Sequence, residues 1–355
     1  MNNGPKIYRP INRSNSEMRQ KRLNNQKYLV LAIISSLIIF AIVFTTLMIS
    51  LSVSSAKRRD DFIGDESNSD SSSESMTDQI TDDPANSESQ TPSLSGDFKY
   101  TYKDFSESAV HLGPLVLVND NNAYTFGDQT GLLDFRSLRI KGSNGEPLYS
   151  MRYFSMLLRK EAVDALNSFI YDFYKNYSDN QYVVISAAYR SYEDQQASYE
   201  KYPDDSPKAG YSDYHCGYSF DLSAASGVAN ATTIFAAFNA EQAINAYKYG
   251  IISRYPSGKS DITGNYEDHY RYVGIPHSYI MKEMDYCLEQ YIDYIRMHTV
   301  SDEHIKYDIE GVGSYDIYYV PASDGVATKV PVPEGYEYTV SGDNVGGFIV
   351  TVKTK

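Results

Sequence analysis

The feature that most constrains this chain is an uncharged stretch at residues 28–53, which reads YLVLAIISSLIIFAIVFTTLMISLSV. As a helix it would span roughly 35–40 Å, which is more than the hydrocarbon core of a bilayer requires. A helix buried in a soluble domain is rarely apolar on every face at this length. The sequence therefore predicts one transmembrane helix at residues 28–53.

The distribution of basic residues predicts the orientation of this helix. Lysine and arginine are concentrated in residues 1–27, whereas the short basic run at residues 57–59 is followed at once by Asp60 and Asp61. By the positive-inside rule, residues 1–27 form a cytoplasmic tail, and the bulk of the chain lies outside the cell membrane. A cleaved signal peptide is the alternative, but the apolar run is longer than the roughly 7–15 residues of a usual signal. We favour an uncleaved single-pass anchor.

The segment after the membrane helix has the composition of a tether. Residues 60–97 contain no lysine or arginine and consist largely of Ser, Asp, Glu, Asn and Thr. Such a segment buries too little apolar surface to offset its ordering entropy, so we expect residues 54–97 to be a disordered acidic linker. The chain as a whole carries a net charge of −14, which argues against nucleic acid as a partner.

Hydrophobic periodicity in the remaining chain predicts an α+β domain at residues 98–303. Apolar residues at helical spacing predict helices at 156–174, 236–249 and 278–297. Short apolar runs predict strands at 115–120, 181–188, 251–255 and 270–273. From residue 304 to residue 355, short alternating runs separated by Gly, Pro, Asp and Asn predict a small all-β appendage of about four strands, with packing as its default role.

The two cysteines, Cys216 and Cys287, are too few for a disulfide-stapled secreted domain. One bridge between them is possible, but two unpaired residues that behave as small hydrophobic side chains are favoured.

Candidate chemical groups occur in two short segments. His215 lies six residues before Asp221, and His269 directly follows Glu267 and Asp268. Two imidazoles, a carboxylate ligand and a further carboxylate are the components of a mononuclear zinc hydrolase site. These spacings are also common by chance, so the residues alone leave the zinc interpretation open.

An arginine is a further candidate for the site, in addition to the histidines and carboxylates. Arg190 directly follows the predicted strand at 181–188, where an arginine could bind a substrate carboxylate or support an oxyanion. The alternative is a salt bridge to Glu193 or Asp194.

Four segments together resemble the VanY-type D-Ala-D-Ala carboxypeptidases. In chain order they read AAYRSYEDQ, GYSDYHCGYSFDL, NAYKYGIISRYPSGKSDITG and EDHYRYVGIPHS. The resemblance implies a zinc D,D-carboxypeptidase fold of the hedgehog/D,D-peptidase type and removal of the terminal D-Ala from peptidoglycan stem peptides. It also implies that Asp221 and His269 are zinc ligands and that Arg190 stabilises the substrate.

Two positions depart from the family pattern by one residue. The first ligand His of the family corresponds to Tyr214, and His215 is one place late. The catalytic Glu of the family corresponds to Tyr266, and Glu267 is one place late. Neighbouring side chains of an extended chain point to opposite faces, so His215 would point away unless a bulge redirects it. In a regular strand, Glu267 would share a face with His269.

Two hypotheses therefore stand for the function. In the first, His215, Asp221 and His269 bind zinc, Glu267 is the general base, and Arg190 binds the substrate carboxylate.

In the second hypothesis, the domain is catalytically inactive and binds a stem peptide or a protein partner. Its cleft would be lined by Tyr214, Tyr266 and Tyr218, with Arg190 still available to the ligand. A third and less favoured hypothesis is a structural envelope protein that uses the β appendage as its contact surface.

Overall fold

The computed structural model describes residues 98–177, 181–259 and 268–355. The predicted cytoplasmic tail, membrane helix and acidic linker all lie outside these ranges, as do Tyr266 and Glu267. Within the described ranges, no helix combines the length and the apolar character needed to cross a bilayer. The described residues have an α+β fold.

Helices and strands are interleaved along the chain. The helices are α1 (Lys160–Tyr174), α2 (Tyr192–Lys201), α3 (Ala231–Ala237), α4 (His277–Glu283) and α5 (Leu288–Arg296). The strands up to the last helix are β1 (Tyr100–Phe105), β2 (Leu132–Asp134), β3 (Ser150–Met151), β4 (Leu157–Arg159), β5 (Val183–Ala187), β6 (Ser219–Ala224), β7 (Ile251–Ser253) and β8 (His269–Tyr272). The strands that follow are β9 (Ile305–Ile309), β10 (Gly313–Pro321), β11 (Thr328–Pro333), β12 (Glu337–Gly342) and β13 (Gly347–Lys353).

The central sheet has the strand order β3-β5-β6-β8-β7, in which only the β3–β5 pair is parallel. Helix α1 contributes to the hydrophobic core of this sheet through an apolar face at helical spacing that includes Leu166, Phe169 and Phe173. The prediction of this helix is confirmed, but its start was placed too early. Residues 157–159 pair with β2 instead, so the helix begins at Lys160.

Two other predicted helices are less regular than their periodicity indicated. The segment at 236–249 begins earlier, as α3, and continues through one wide turn into a 3-10 helix that ends at Tyr249. Gly250 ends it in the left-handed region, as predicted, with φ of 76°. The segment at 278–297 is divided into α4 and α5, because Asp285 adopts a positive φ of 51°, which a continuing helix does not allow.

Residues 115–118 are buried but do not form the predicted strand. Three of their carbonyl groups accept hydrogen bonds from side chains instead of from a neighbouring strand, and Asn344 is the donor to the carbonyl of Leu117. Arg271 donates to the carbonyl of Val116, and Arg254 donates to the carbonyl of Val118. The prediction was wrong because periodicity indicates burial and extension but not which group satisfies the backbone.

The C-terminal segment forms five strands rather than about four. Strands β12, β13, β10 and β9 form one antiparallel sheet, whereas β11 pairs with β1 from the start of the domain. The sheet also shares a hydrophobic core with α5, in which Ile292 and Ile295 lie with Ile317 and Ile349. This segment is therefore packed onto the domain that precedes it.

Both cysteines, Cys216 and Cys287, are buried and unpaired, as the sequence favoured.

A buried histidine links this sheet to the helices. The Nδ1 atom of His277 lies 2.8 Å from the Tyr291 hydroxyl, and its Nε2 atom lies 2.9 Å from the Thr351 hydroxyl. Burial lowers the pKa of His277 to about 3. The unfolded chain takes up this proton near pH 6.5, so the folded state loses stability as the pH falls from there towards 3.

We therefore expect His277→Gln to flatten the pH dependence of unfolding below pH 6.5, by an amount on the order of a few kcal/mol in the free energy of unfolding. Urea titrations at a series of pH values measure this quantity. His298→Gln, at a partly exposed position, is the matched control and should keep the wild-type dependence. An unchanged curve for His277→Gln would contradict the assignment.

Candidate functional site

Strand pairing brings two of the predicted site residues together. Asp221 on β6 and His269 on β8 are direct partners in the antiparallel register, so their side chains lie on the same face of the sheet. The Nδ1 atom of His269 lies 2.7 Å from Oδ1 of Asp221. The two residues whose positions match the family's ligands are thus adjacent.

Tyr214 occupies the place beside this pair. It lies in a 3-10 turn, Asp213–Cys216, that ends at Gly217 in the left-handed region with φ of 76°. A β-carbon at position 217 would collide with the Leu132 side chain, so the turn requires glycine there. The turn directs the Tyr214 hydroxyl to Oδ2 of Asp221, to which it donates a hydrogen bond of 2.6 Å.

His215 is not brought to the pair formed by Asp221 and His269. Its Nδ1 atom lies 2.8 Å from the carbonyl oxygen of Arg190, and its Nε2 atom accepts the backbone N–H of Gly210 at 3.0 Å. Burial lowers the pKa of His215, so it is the neutral ring that makes both bonds. The segment is a 3-10 turn rather than the extended chain we expected, and one position in such a turn rotates a side chain by about 120°. Because His215 lies one residue after the position of the family's ligand, it bonds to the backbone of Gly210 and Arg190 instead of facing Asp221.

Arg190 lies three residues beyond the end of β5, against the ring of Tyr214. Its guanidinium carbon is 4.3 Å from the ring centroid, and Nη1 donates to Gln195 at 3.1 Å and Ser198 at 3.3 Å. Among the described residues, no carboxylate lies within 4.0 Å of this guanidinium, so the alternative of a salt bridge to Glu193 or Asp194 is not observed. The charge of Arg190 is available to a ligand.

These groups line one cleft of about 400 Å³. Its wall includes Arg190, Tyr214, Asp221 and His269, together with the buried Ser212. Among the described residues, the buried Ser212 hydroxyl has no hydrogen-bond partner, although such groups are normally satisfied.

Tyr218, which the sequence also placed in the cleft, is elsewhere. It is buried and stacks on Tyr272 with ring centroids 6.1 Å apart, and it is not part of the cleft wall. Tyr266 and Glu267 lie outside the described residues, so their predicted roles stay predictions.

A buried ionic network beneath the cleft was not foreseen from the sequence. Asp213 accepts from Arg271 at 2.5 Å and from Arg254 at 3.4 Å, and it also accepts a hydrogen bond from Ser219. Arg254 makes a bidentate pair with Glu289 at 2.7 and 2.9 Å. The available signal was that Asp213, Arg254 and Arg271 all lie within the segments that resemble VanY-type proteins.

This network reaches the cleft through His269. Nε2 of His269 lies 3.4 Å from Oδ2 of Asp213, on the opposite side of the ring from Asp221. Burial acts to lower the pKa of His269, but the hydrogen bonds to Asp213 and Asp221 outweigh it and raise the pKa overall. The imidazole is thus held between two carboxylates.

The observed donors do not fit a zinc site of the expected kind. Zinc in hydrolases takes three protein ligands, and a phenol would have to ionise to replace the missing imidazole. Burial and the neighbouring Asp221 carboxylate raise the pKa of Tyr214 well above its usual range, which keeps the hydroxyl protonated. Within the described part of the chain, no group of three His, Cys, Asp or Glu side chains could hold a metal ion.

Comparison with known proteins identifies the family. The family model for VanY, D-alanyl-D-alanine carboxypeptidase, matches residues 155–275. A D-alanyl-D-alanine carboxypeptidase of Enterococcus faecium is 31% identical over 255 residues, which cover 70% of this chain and 78% of that protein. This chain belongs to the VanY family of D-alanyl-D-alanine carboxypeptidases.

One solved structure shows that the described residues share the fold of a D,D-peptidase. The vancomycin-resistance D,D-dipeptidase VanXYg, solved with a D-Ala-D-Ala phosphinate analogue, matches with a TM-score of 0.59 and 24% identity, covering 72% of this chain and 99% of its own. A VanY from a VanB-type resistance cassette, solved with Zn(II), gives a TM-score of 0.36 and 24% identity, and covers 50% of this chain and 98% of its own.

The ionic network also yields a test of how the VanY-type domain is held together. In Asp213→Asn, Arg271 and Arg254 would keep their buried charges but lose one counter-ion. We expect a loss of about 3–5 kcal/mol in the free energy of unfolding, measured by urea denaturation. Asp164→Asn removes a carboxylate from an exposed ion pair with Lys160 and is the matched control, for which no measurable change is expected. Equal stability of the two variants would contradict this role of Asp213.

Proposed function

We propose that this VanY-type domain binds the D-Ala-D-Ala end of peptidoglycan stem peptides at the outer face of the cell membrane, without zinc-dependent hydrolysis. Membership of a D-alanyl-D-alanine carboxypeptidase family supports the ligand class. The free charge of Arg190 and the unpartnered Ser212 hydroxyl support retention of peptide recognition, since a peptide terminus offers both a carboxylate and backbone polar groups.

The observation that carries the proposal is the hydrogen bond from Tyr214 to Asp221. It places a protonated phenol where the family has an imidazole ligand, and it occupies an oxygen of the only carboxylate at a matched ligand position. His215 cannot replace that imidazole without breaking its bonds to Gly210 and Arg190. The domain therefore has the peptide-binding cleft of the family but lacks the third ligand that zinc-dependent hydrolysis requires.

A working zinc D,D-carboxypeptidase is the second candidate. The adjacency of Asp221 and His269 at 2.7 Å favours it, because these two positions match the ligands of the family. It requires His215 to leave its present position and Glu267 to act as the general base.

Peptide binding and hydrolysis are measured on the purified full-length chain. We expect less than one zinc per ten chains after incubation with excess zinc, no released D-Ala, and measurable binding of a pentapeptide that ends in D-Ala-D-Ala. Arg190→Gln should weaken that binding about tenfold to a hundredfold, because a charge-assisted bidentate contact is lost. Lys282→Gln, at an exposed position outside the cleft, is the control.

Restoration of the family residues separates the two candidates. Tyr214→His combined with Tyr266→Glu should create zinc binding and D-Ala release where the wild type has neither. Stoichiometric zinc and D-Ala release in the wild type would establish the hydrolase and overturn the binding proposal.

The location is proposed from the sequence. The uncharged residues 28–53, the basic residues before them and the acidic linker after them support a single-pass anchor with the domain outside the cell. Protease added to intact cells should shed the domain by cutting within residues 54–97. Protection of the domain until the cells are lysed would show the opposite orientation.

A further inference from the structure

The cleft carries positive charge at two separate places. Arg190 lies beside Tyr214, as described above. Arg152 and Lys201 line the same cleft but come from other elements: Arg152 directly follows β3, and Lys201 is the last residue of α2. A ligand held by Arg190 through one carboxylate would therefore meet two further cations.

The guanidinium of Arg152 has no competing partner. Its backbone N–H donates to the carbonyl of Ile185, which fixes the chain at the end of β3, but the described residues provide no ion pair or hydrogen bond for its side chain. The side chain is exposed at the cleft wall. Its charge is therefore not neutralised by any described residue and can interact with a ligand.

Lys201 is the other of these two cations, and it also lines the cleft. Its ammonium lies 5.0 Å from the centroid of the Tyr202 ring. A hydrogen bond to Tyr202 raises the pKa of Lys201, and the nearby Tyr153 hydroxyl adds a smaller effect in the same direction. Both cations line the same cleft, and Asp205 lines it as well.

The spacing of the two regions fits a peptide with two carboxylates. In the parallel register of β3 and β5, Arg152 lies next to Ser186, and Arg190 follows four residues later. The two arginine backbones are therefore separated by at most about 19 Å, which adds about 5 Å between neighbouring strands to about 14 Å along four extended residues. An extended peptide covers about 10 Å in three residues, and long side chains bridge the remainder.

We propose that Arg152 and Lys201 form a second anion subsite, which binds a carboxylate located two or three residues upstream of the D-Ala-D-Ala end. The subsite makes the domain selective for stem peptides whose upstream carboxylate is free over those in which it is amidated. This inference rests on the proposed binding of stem peptides.

The test compares two synthetic pentapeptides that differ at one group. One is L-Ala-γ-D-Glu-L-Lys-D-Ala-D-Ala, and the other carries D-isoglutamine in place of D-glutamate. We expect the full-length protein to bind the free carboxylate about fivefold to tenfold more tightly in calorimetric titrations. Arg152→Gln combined with Lys201→Gln should abolish this preference, so that both peptides bind with the same affinity. Lys282→Gln should keep the preference.

The outcomes separate the two proposals. Equal affinity of the wild type for both peptides, or a preference that persists in the double variant, would overturn the second subsite alone. Failure of the wild type to bind either peptide would overturn the proposed function, and the subsite with it. Thermal unfolding of the double variant confirms that any lost preference does not come from misfolding.

Discussion

The buried carboxylate of Asp213 is the group on which the rest of the site depends. It neutralises Arg271 on β8 and contacts Arg254 after β7, both of which are completely buried. These arginines in turn bind the carbonyls of the extended segment at 114–118 and the Glu289 carboxylate on α5. One turn of the chain thereby joins the central sheet, an irregular segment and a helix. Removal of a single partner from such a network leaves a charge unpaired in the interior. The resulting loss of stability is far larger than the net stability that the intact network contributes.

The same turn determines the chemistry of the cleft. Asp213 anchors its first residue to the interior, and Gly217 ends it in a conformation that a larger residue would not fit. Between them, Tyr214 faces Asp221 and His215 faces the backbone of Gly210 and Arg190. The imidazole of His215 thus fixes the loops that form the cleft, whereas the phenol of Tyr214 fills the space beside Asp221. This arrangement supports the proposal that the cleft binds a peptide without a complete set of metal ligands.

The electrostatics of the cleft differ from those of the chain as a whole. The chain carries a net charge of −14, yet one cleft is lined by Arg152, Arg190 and Lys201, none of which forms an ion pair with another described residue. The acidic groups at the same place are largely engaged, since Asp221 bonds to Tyr214 and His269, and Asp213 bonds to buried arginines. Three cations in one cleft of an acidic protein support the proposed binding of an anionic peptide end.

The sequence by itself determined the α+β class, the apolar face of α1 and the family. These follow from periodicity and from residues within short ordered segments, which the chain specifies locally. Only the tertiary structure decided that His215 is structural and that Arg190 has no carboxylate partner among the described residues. It also decided that the carbonyls of Val116 and Val118 bind arginines rather than a neighbouring strand. Those outcomes depend on which distant groups meet a side chain or a carbonyl, and neither spacing nor composition specifies such partners.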